Sequence, residues 1–171
     1  MPKSYAKVKG RNDKIQFIGI PRHCAEHKNF YSLGAHALKL LIDLLFQYRG
    51  FNNGAMAATW TEMEKRGWKS RDTLRSALFE LEIKGWIVVT RRGGRNSANL
   101  YAVTFRPIND CNGKLDVPAG PPPGFWKDGH NPWMQERHPK NPARIADTLA
   151  GAIEHGGRAN VGTPNGSTSI N

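Results

Sequence analysis

Two short segments of the chain concentrate side chains that can bind phosphates and base edges. Residues 69–76 read KSRDTLRS, and residues 91–96, RRGGRN, place three arginines around two glycines. An arginine fork can donate to two acceptors at once, and hydroxyl groups commonly bind phosphate oxygens. The sequence therefore predicts a polyanion-binding surface. Its candidate contacts are Lys69, Ser70, Arg71, Thr73, Arg75, Ser76, Arg91, Arg92, Arg95 and Asn96.

The net charge of the chain also favours a polyanionic partner. The 171 residues include 25 Lys and Arg and 14 Asp and Glu, for a formal charge of +11. Residues 1–31 contribute +5 and residues 32–108 contribute +6, while residues 109–171 are neutral. Such a field attracts nucleic acid or an anionic membrane surface. We expect the polyanion to bind within the first 108 residues and the neutral remainder to contact protein.

Several classes of protein are disfavoured by what the sequence lacks. It has no apolar run long enough to span a membrane and no signal-peptide pattern, and its two cysteines suit a reducing cytoplasm. Cys24 and His27 have ligand-like spacing, but structural zinc needs four ligands and Cys111 is the only other cysteine. No catalytic motif is present. We expect a cytoplasmic protein that is not an enzyme and binds no metal or cofactor.

The N-terminal third of the chain predicts one strand and one long helix. Residues 15–20, IQFIGI, are apolar and β-prone, and Pro21 ends the predicted strand. A helix is predicted from Ser32, as N-cap, to a stop at Gly50. Its apolar stripe recurs at helical spacing: Leu33, Ala37, Leu40, Leu41, Leu44, Leu45 and Tyr48.

The next segment predicts two helices and a hairpin that would position the basic residues. A short strand is predicted at residues 56–58, followed by a helix over 60–66 whose Thr59 and Glu62 have capping-box spacing. Ser70 caps a predicted helix to about Lys84. Two β-prone runs, 86–90 and 100–105, flank the Gly-Gly turn and predict a hairpin. The buried stripe of the helix would be Leu74, Ala77, Leu78 and Leu81.

This order of elements resembles a winged helix-turn-helix domain over residues 30–107. Thr59 to Arg66 is similar to the first helix of that motif, GWKSRDTLRSALFELEIKGWIVVTR (67–91) to its recognition helix and first wing strand, and NLYAVTF (99–105) to the returning strand. The upstream SLGAHALKLL and FNNG resemble short winged-helix proteins of phages, prophages and plasmids. The resemblance implies an α+β fold of three helices plus a β-hairpin wing.

The resemblance also implies roles for the basic segments. Recognition helix 70–84 would enter the major groove of double-stranded DNA, and wing 86–105 would lie on the backbone. Each role has a structural alternative, because Ser70 caps a helix, Arg71 and Arg75 would suit a solvated face, and wing arginines can protect a hairpin edge. Asp72 and Glu82 would repel phosphates unless neighbouring residues pair with them.

The flanking segments have separate predictions. Residues 1–31 form a basic N-terminal arm, which either tracks DNA or is a solvated tail with one strand. Residues 108–155 form a Pro/Gly-rich arm with a short amphipathic helix starting near Asn141, and Trp126 and Trp133 are expected anchors. This arm would dock on its own domain, form a homodimer or bind a protein partner. Residues 156–171 are expected to be disordered.

Three functions remain open on the sequence alone. The first is a double-stranded DNA-binding transcriptional regulator of a phage or mobile element. The second is a replication initiation or recruitment protein, which would share the DNA step and differ in the partner of residues 108–171. The third is a protein-binding winged helix that inhibits a host nucleic-acid complex. RNA binding is less favoured, because no aromatic stacking signature is visible.

Overall fold

The computed structural model describes residues 18–137. The amphipathic helix expected near residue 141, the tail 156–171 and most of the N-terminal arm lie outside the described residues. The described part is α+β, with six helices and one three-stranded antiparallel sheet. In chain order the elements are α1 (Arg22–Ala25), α2 (Lys28–Tyr31), α3 (Ala35–Leu45), β1 (Met56–Ala57), α4 (Trp60–Lys65), α5 (Arg71–Ile83), β2 (Ile87–Arg91), β3 (Leu100–Val103) and α6 (Pro132–Arg137). Two 3₁₀ turns, Cys111–Gly113 and Phe125–Lys127, precede α6.

The region before α3 differs from the sequence prediction. The strand predicted for residues 15–20 is wrong for its described part, since residues 18–20 belong to no strand. Pro21 is instead the N-cap of α1, and its carbonyl accepts from the backbone of Cys24 at 2.9 Å. Cys24 is fully buried and Phe30 packs against the same core. Residues 22–31, expected as part of a basic arm, are therefore two helical turns attached to the domain.

Helix α3 is shorter than its apolar pattern predicted. Gly34 is the N-cap residue, and the prediction of Ser32 in that role is wrong because Ser32 terminates α2. The helix ends at Leu45, five residues before Gly50. The predicted stripe is confirmed as the buried face, with Leu33 and Tyr48 packed at its margins. Its fully or almost fully buried members are Ala37, Leu40, Leu41, Leu44 and Leu45.

Helices α4 and α5 both end in a glycine followed by a buried tryptophan. Gly67 and Gly85 have positive φ angles of 86° and 73°, which L side chains adopt at a cost. At each end the backbone N–H of the tryptophan donates to the carbonyl of the residue five positions earlier, as in a Schellman motif. This bond places Trp68 and Trp86 in the core, where they are 3% and 0% exposed.

The sheet has the order β1-β3-β2, so the last strand lies between the other two. Val88 pairs with Ala102, and Met56 pairs with Tyr101. The predicted hairpin between β2 and β3 is confirmed, and it contains a register shift after Val89. The shift leaves Thr90 as an extra residue, whose buried hydroxyl donates to the Gly54 carbonyl at 2.5 Å.

The two faces of the sheet are covered by different parts of the chain. Helices α3 and α5 pack on one face, where Trp86 contacts the ring of Trp126 at 5.5 Å between centroids. The opposite face is covered by the C-terminal segment, whose residues pack around Val88 and Ala102. The covering side chains are Ile108, Leu115, Val117, Phe125 and Trp133. The described part of the expected Pro/Gly-rich arm is therefore docked on its own domain, with Trp126 as a buried anchor.

Candidate nucleic-acid interface

Helix α5 presents a polar face to solvent along the side opposite its core stripe. Ser70 is the N-cap residue and its hydroxyl accepts from the backbone N–H of Thr73 at 3.3 Å, which confirms the predicted cap. Leu74, Ala77 and Leu81 are buried, while Leu78 is partly buried against the same core. The exposed positions at the N-terminal end are Lys69, Arg71, Asp72, Arg75 and Ser76. This half of the helix can approach a ligand.

The carboxylate on this face has a cationic neighbour. Asp72 accepts from Nη1 of Arg75 at 3.3 Å, and their side chains are 88% and 81% exposed. A pair this exposed contributes little to stability because water and salt screen it. Asp72 also lies in the first turn of α5, where a carboxylate is favoured by the helix dipole. The expected repulsion between Asp72 and phosphate is thereby partly offset within the helix.

Arg71 has a different neighbour from Arg75. Its Cζ lies 5.2 Å from the ring centroid of Trp60, the first residue of α4. A guanidinium at this distance from an aromatic face is attracted by the ring quadrupole. Trp60 was not among the predicted site residues, and its ring is brought to Arg71 by the turn that joins α4 to α5. The capping box predicted for α4 is wrong, since the Thr59 side chain makes no cap hydrogen bond.

The tip of the β2–β3 hairpin is a tight and exposed turn. Gly94 and Ser97 form an isolated antiparallel bridge, and Asn96 has a φ angle of 67°. Asparagine tolerates this left-handed conformation better than most residues. Arg95 and Asn96 are exposed at the tip, and Arg92 is exposed just before it. These three predicted site residues are open to solvent.

Arg91 is held more closely by the hairpin than the other predicted arginines. It is half-buried, and its Nη2 donates to the Ala98 carbonyl at 3.5 Å across the turn. Asp116 was not among the predicted site residues. Its carboxylate accepts from the backbone N–H of Arg92 at 3.0 Å, and its backbone N–H donates to the Thr90 carbonyl. The C-terminal segment thus supports the base of the hairpin. No local pattern marks Asp116, because its partners lie 24 and 26 residues away.

Other basic residues in this part of the chain make contacts within the fold. Lys84 donates to the Ser32 carbonyl and to Glu80, and Arg106 donates to the Gly19 carbonyl while its guanidinium lies 4.7 Å from the ring of Tyr48. Lys39 and Arg66 both lie near the buried carboxylate of Asp43. These four cations stabilise tertiary contacts. Within residues 18–134, five exposed cations lie at the start of α5 and at the hairpin tip, and the other exposed cations belong to other parts of the fold: Arg22, Lys28, Arg49, Lys65, Lys114 and Lys127.

The described residues contain other titratable groups but no cluster suited to a metal. Burial raises the pKa of the Cys24 and Cys111 thiols and of the Tyr101 hydroxyl above their ordinary values. Within residues 18–137, no three His, Cys, Asp or Glu side chains are grouped as metal ligands. Over the same residues, no helix is both long and apolar enough to cross a membrane.

Comparisons with known proteins found no relative from which a function could be inferred. No protein-family model, curated protein or solved structure matches the chain. The arrangement of the described residues, six helices and a three-stranded antiparallel sheet, is compatible with a winged helix. A functional argument for this protein therefore depends on its own side chains.

Proposed function

We propose that this protein is a winged helix-turn-helix protein that binds double-stranded DNA and acts as a transcriptional regulator. The observation that carries the proposal is the clustering of exposed cations in two short segments, 69–75 and 92–95. Lys69, Arg71 and Arg75 are exposed at the start of α5, and Arg92 and Arg95 are exposed at the hairpin tip, whereas Lys39, Lys84 and Arg106 are engaged with carbonyls, carboxylates or rings. In the proposed fold α3, α4 and α5 are the three helices, α5 is the recognition helix and β2–β3 is the wing.

The shape of the surface fits duplex DNA. An α-helix with one exposed polar face can enter the major groove, where arginine pairs with guanine and hydroxyls bind phosphate. Arg71, Arg75 and Ser76 would face the groove from the first turns of α5, and Lys69, in the turn before the helix, would contact phosphate. The hairpin tip, with Arg92 and Arg95, would then contact the adjacent backbone. Arg91 would contribute less, because its guanidinium is directed back along the hairpin.

The salt dependence of binding tests the wing directly. In a titration of labelled duplex from about 50 to 200 mM salt, each phosphate contact contributes about 0.9 to the slope of log affinity against log salt. The double variant Arg92→Ala, Arg95→Ala should flatten that slope by about two units and weaken all sequences similarly.

A matched control removes the same charge elsewhere. Lys28 and Lys127 are exposed, and the two lysines lie near each other because Asn29 donates to the Lys127 carbonyl at 2.9 Å. The variant Lys28→Ala, Lys127→Ala should leave the slope unchanged. If the Arg92→Ala, Arg95→Ala variant keeps the slope of the unaltered protein, the wing makes no phosphate contacts. If the unaltered protein binds no duplex, the proposed function is refuted.

Selection of bound duplexes from a random pool tests the regulatory role. A recovered sequence preference would identify the operator, and the spacing of any half-sites would report the symmetry of the bound oligomer. A reporter promoter carrying the recovered site should then change its output when the protein is expressed. A promoter that does not respond would remove transcriptional regulation from the proposal.

A further inference from the structure

We propose that Trp60 is a positioning residue that holds Arg71 ready to bind two adjacent acceptors on DNA. The inference rests on the proposed function and assigns a specificity role within it. It concerns a residue of α4 that carries no charge and lies outside both basic segments of the sequence.

The contact joins an anchored ring to an exposed cation. Trp60 begins α4 and packs, partly buried, against the main core cluster. Arg71 begins α5 and is exposed, with its Cζ 5.2 Å from the Trp60 centroid. The core fixes the ring, and the ring restricts the guanidinium. An arginine without such a contact would lose more side-chain conformational entropy when it bound DNA.

The chemistry of the contact leaves the donors of Arg71 available. A cation–π interaction uses the charge of the guanidinium and does not consume its N–H groups as a carboxylate does. Arg75 differs, since one of its nitrogens donates to Asp72. Among residues 18–137, no carboxylate forms an ion pair with Arg71. The guanidinium of Arg71 is therefore oriented by the ring while its N–H groups remain free to donate, a combination that favours bidentate binding.

Two sources on DNA present a matching pair of acceptors. The major-groove edge of guanine offers O6 and N7, and a phosphate offers two oxygens. Both fit an arginine fork, so the shared chemistry is a pair of neighbouring acceptors. The N-terminal position of Arg71 on the proposed recognition helix allows it to reach either source.

A double-mutant cycle separates positioning from general structural support. The variants are Trp60→Met, Arg71→Lys and their combination, with Trp60→Phe as the conservative control that keeps an aromatic face. Methionine keeps apolar bulk without a π face. Affinities would be measured on the duplex selected by the unaltered protein, and stability of each variant by thermal unfolding. Trp60→Leu replaces Trp60→Met if the latter does not fold.

The expected pattern is a loss that depends on Arg71. Trp60→Met should weaken binding by about tenfold, Trp60→Phe by less than about threefold, and Arg71→Lys by about tenfold to a hundredfold. In the Arg71→Lys background, Trp60→Met should have no further effect on affinity. If it weakens binding equally in both backgrounds, or not at all, Trp60 does not position Arg71.

Modified DNA identifies the acceptor pair. Duplexes with 7-deazaguanine lack N7, and duplexes with methylphosphonates lack a charged oxygen. One substitution should weaken the unaltered protein and spare Arg71→Lys, which assigns guanine or phosphate as the ligand. If neither substitution distinguishes the two proteins, bidentate binding by Arg71 is refuted even though duplex binding stands. If the unaltered protein binds no duplex, the proposed function itself fails.

Discussion

Asn53 is the buried polar residue whose replacement gives the sharpest test of the fold. Its side chain is fully buried, and Oδ1 accepts from the Val103 N–H at 2.9 Å. Its Nδ2 lies within 3.1 Å of three carbonyl oxygens, those of Val103, Arg106 and Pro107. One amide therefore joins the turn before β1 to the chain leaving β3. Two N–H donors serve three acceptors, so one bond is shared.

The cost of removing this amide can be estimated from its partners. Asn53→Ala leaves the buried Val103 N–H without an acceptor, at about 1–3 kcal/mol, and removes the donors of the three carbonyls, at about 0.5–1.5 kcal/mol for each bond lost. We expect the free energy of unfolding to fall by about 3–5 kcal/mol in total. Asn53→Asp keeps the shape and the acceptor, but an ionised carboxylate faces three carbonyls, so the loss should be similar at neutral pH.

A neighbouring asparagine provides the matched control. Asn52 also makes side-chain bonds, with the Arg49 N–H and the Gln47 carbonyl, but these are local and only partly buried. Asn52→Ala should cost about 1 kcal/mol, because water can replace the lost partners. Urea unfolding followed by circular dichroism measures all three variants. If Asn53→Ala and Asn52→Ala destabilise the protein equally, the argument from burial is refuted.

Three further outcomes are expected. Burial raises the pKa of Tyr101 above its ordinary value of 10.0, so the folded protein holds this proton at a pH where the unfolded chain releases it. The free energy of unfolding should therefore decrease as pH rises above that value, and Tyr101→Phe should reduce this slope in urea titrations; identical slopes would contradict the assignment. Cys24 is fully buried while Cys111 is partly exposed, so mass spectrometry should find Cys111 alkylated first in the folded protein; the reverse order would show that the N-terminal turns open. A Cβ at Gly85 would lie 2.7 Å from the backbone of the C-terminal segment, whereas one at Gly67 would meet open space. Thermal unfolding should show Gly85→Ala costing about 2–4 kcal/mol and Gly67→Ala about 1–2 kcal/mol, and similar losses would mean that the segment does not pack there.

Most of the central elements could be predicted because their signals are local. The Ser70 cap, the leucine stripe of α5 and the glycines that end α4 and α5 lie within a few residues of the structure that they determine. The start of α3 could not be predicted in this way. Ser32 is a good N-cap residue, but its hydroxyl donates to the Asn29 carbonyl within the preceding turn, and Glu80 of α5 accepts from the Gly34 N–H at 2.8 Å instead. A distant side chain thus satisfies the helix terminus.

The candidate site was predictable in composition and only partly in arrangement. The basic residues of 69–76 and 91–96 are visible in the sequence, and seven of the predicted positions are exposed: Lys69, Arg71, Arg75, Ser76, Arg92, Arg95 and Asn96. Their neighbours were not visible. Asp116 reaches the hairpin and Trp60 reaches Arg71 through packing between elements that are separate along the chain.

The sequence by itself determined the periodicity, the caps and turns of the central elements, and the concentration of positive charge in the first 108 residues. These depend on neighbours a few residues apart, through steric limits on the backbone and side-chain spacing. Only the tertiary structure decided which cations are engaged and which are exposed. Lys84 and Arg106 bind carbonyls 52 and 87 residues away, while Arg71 rests on a ring in another helix. Such contacts depend on how the core brings elements together, which no short window of sequence contains.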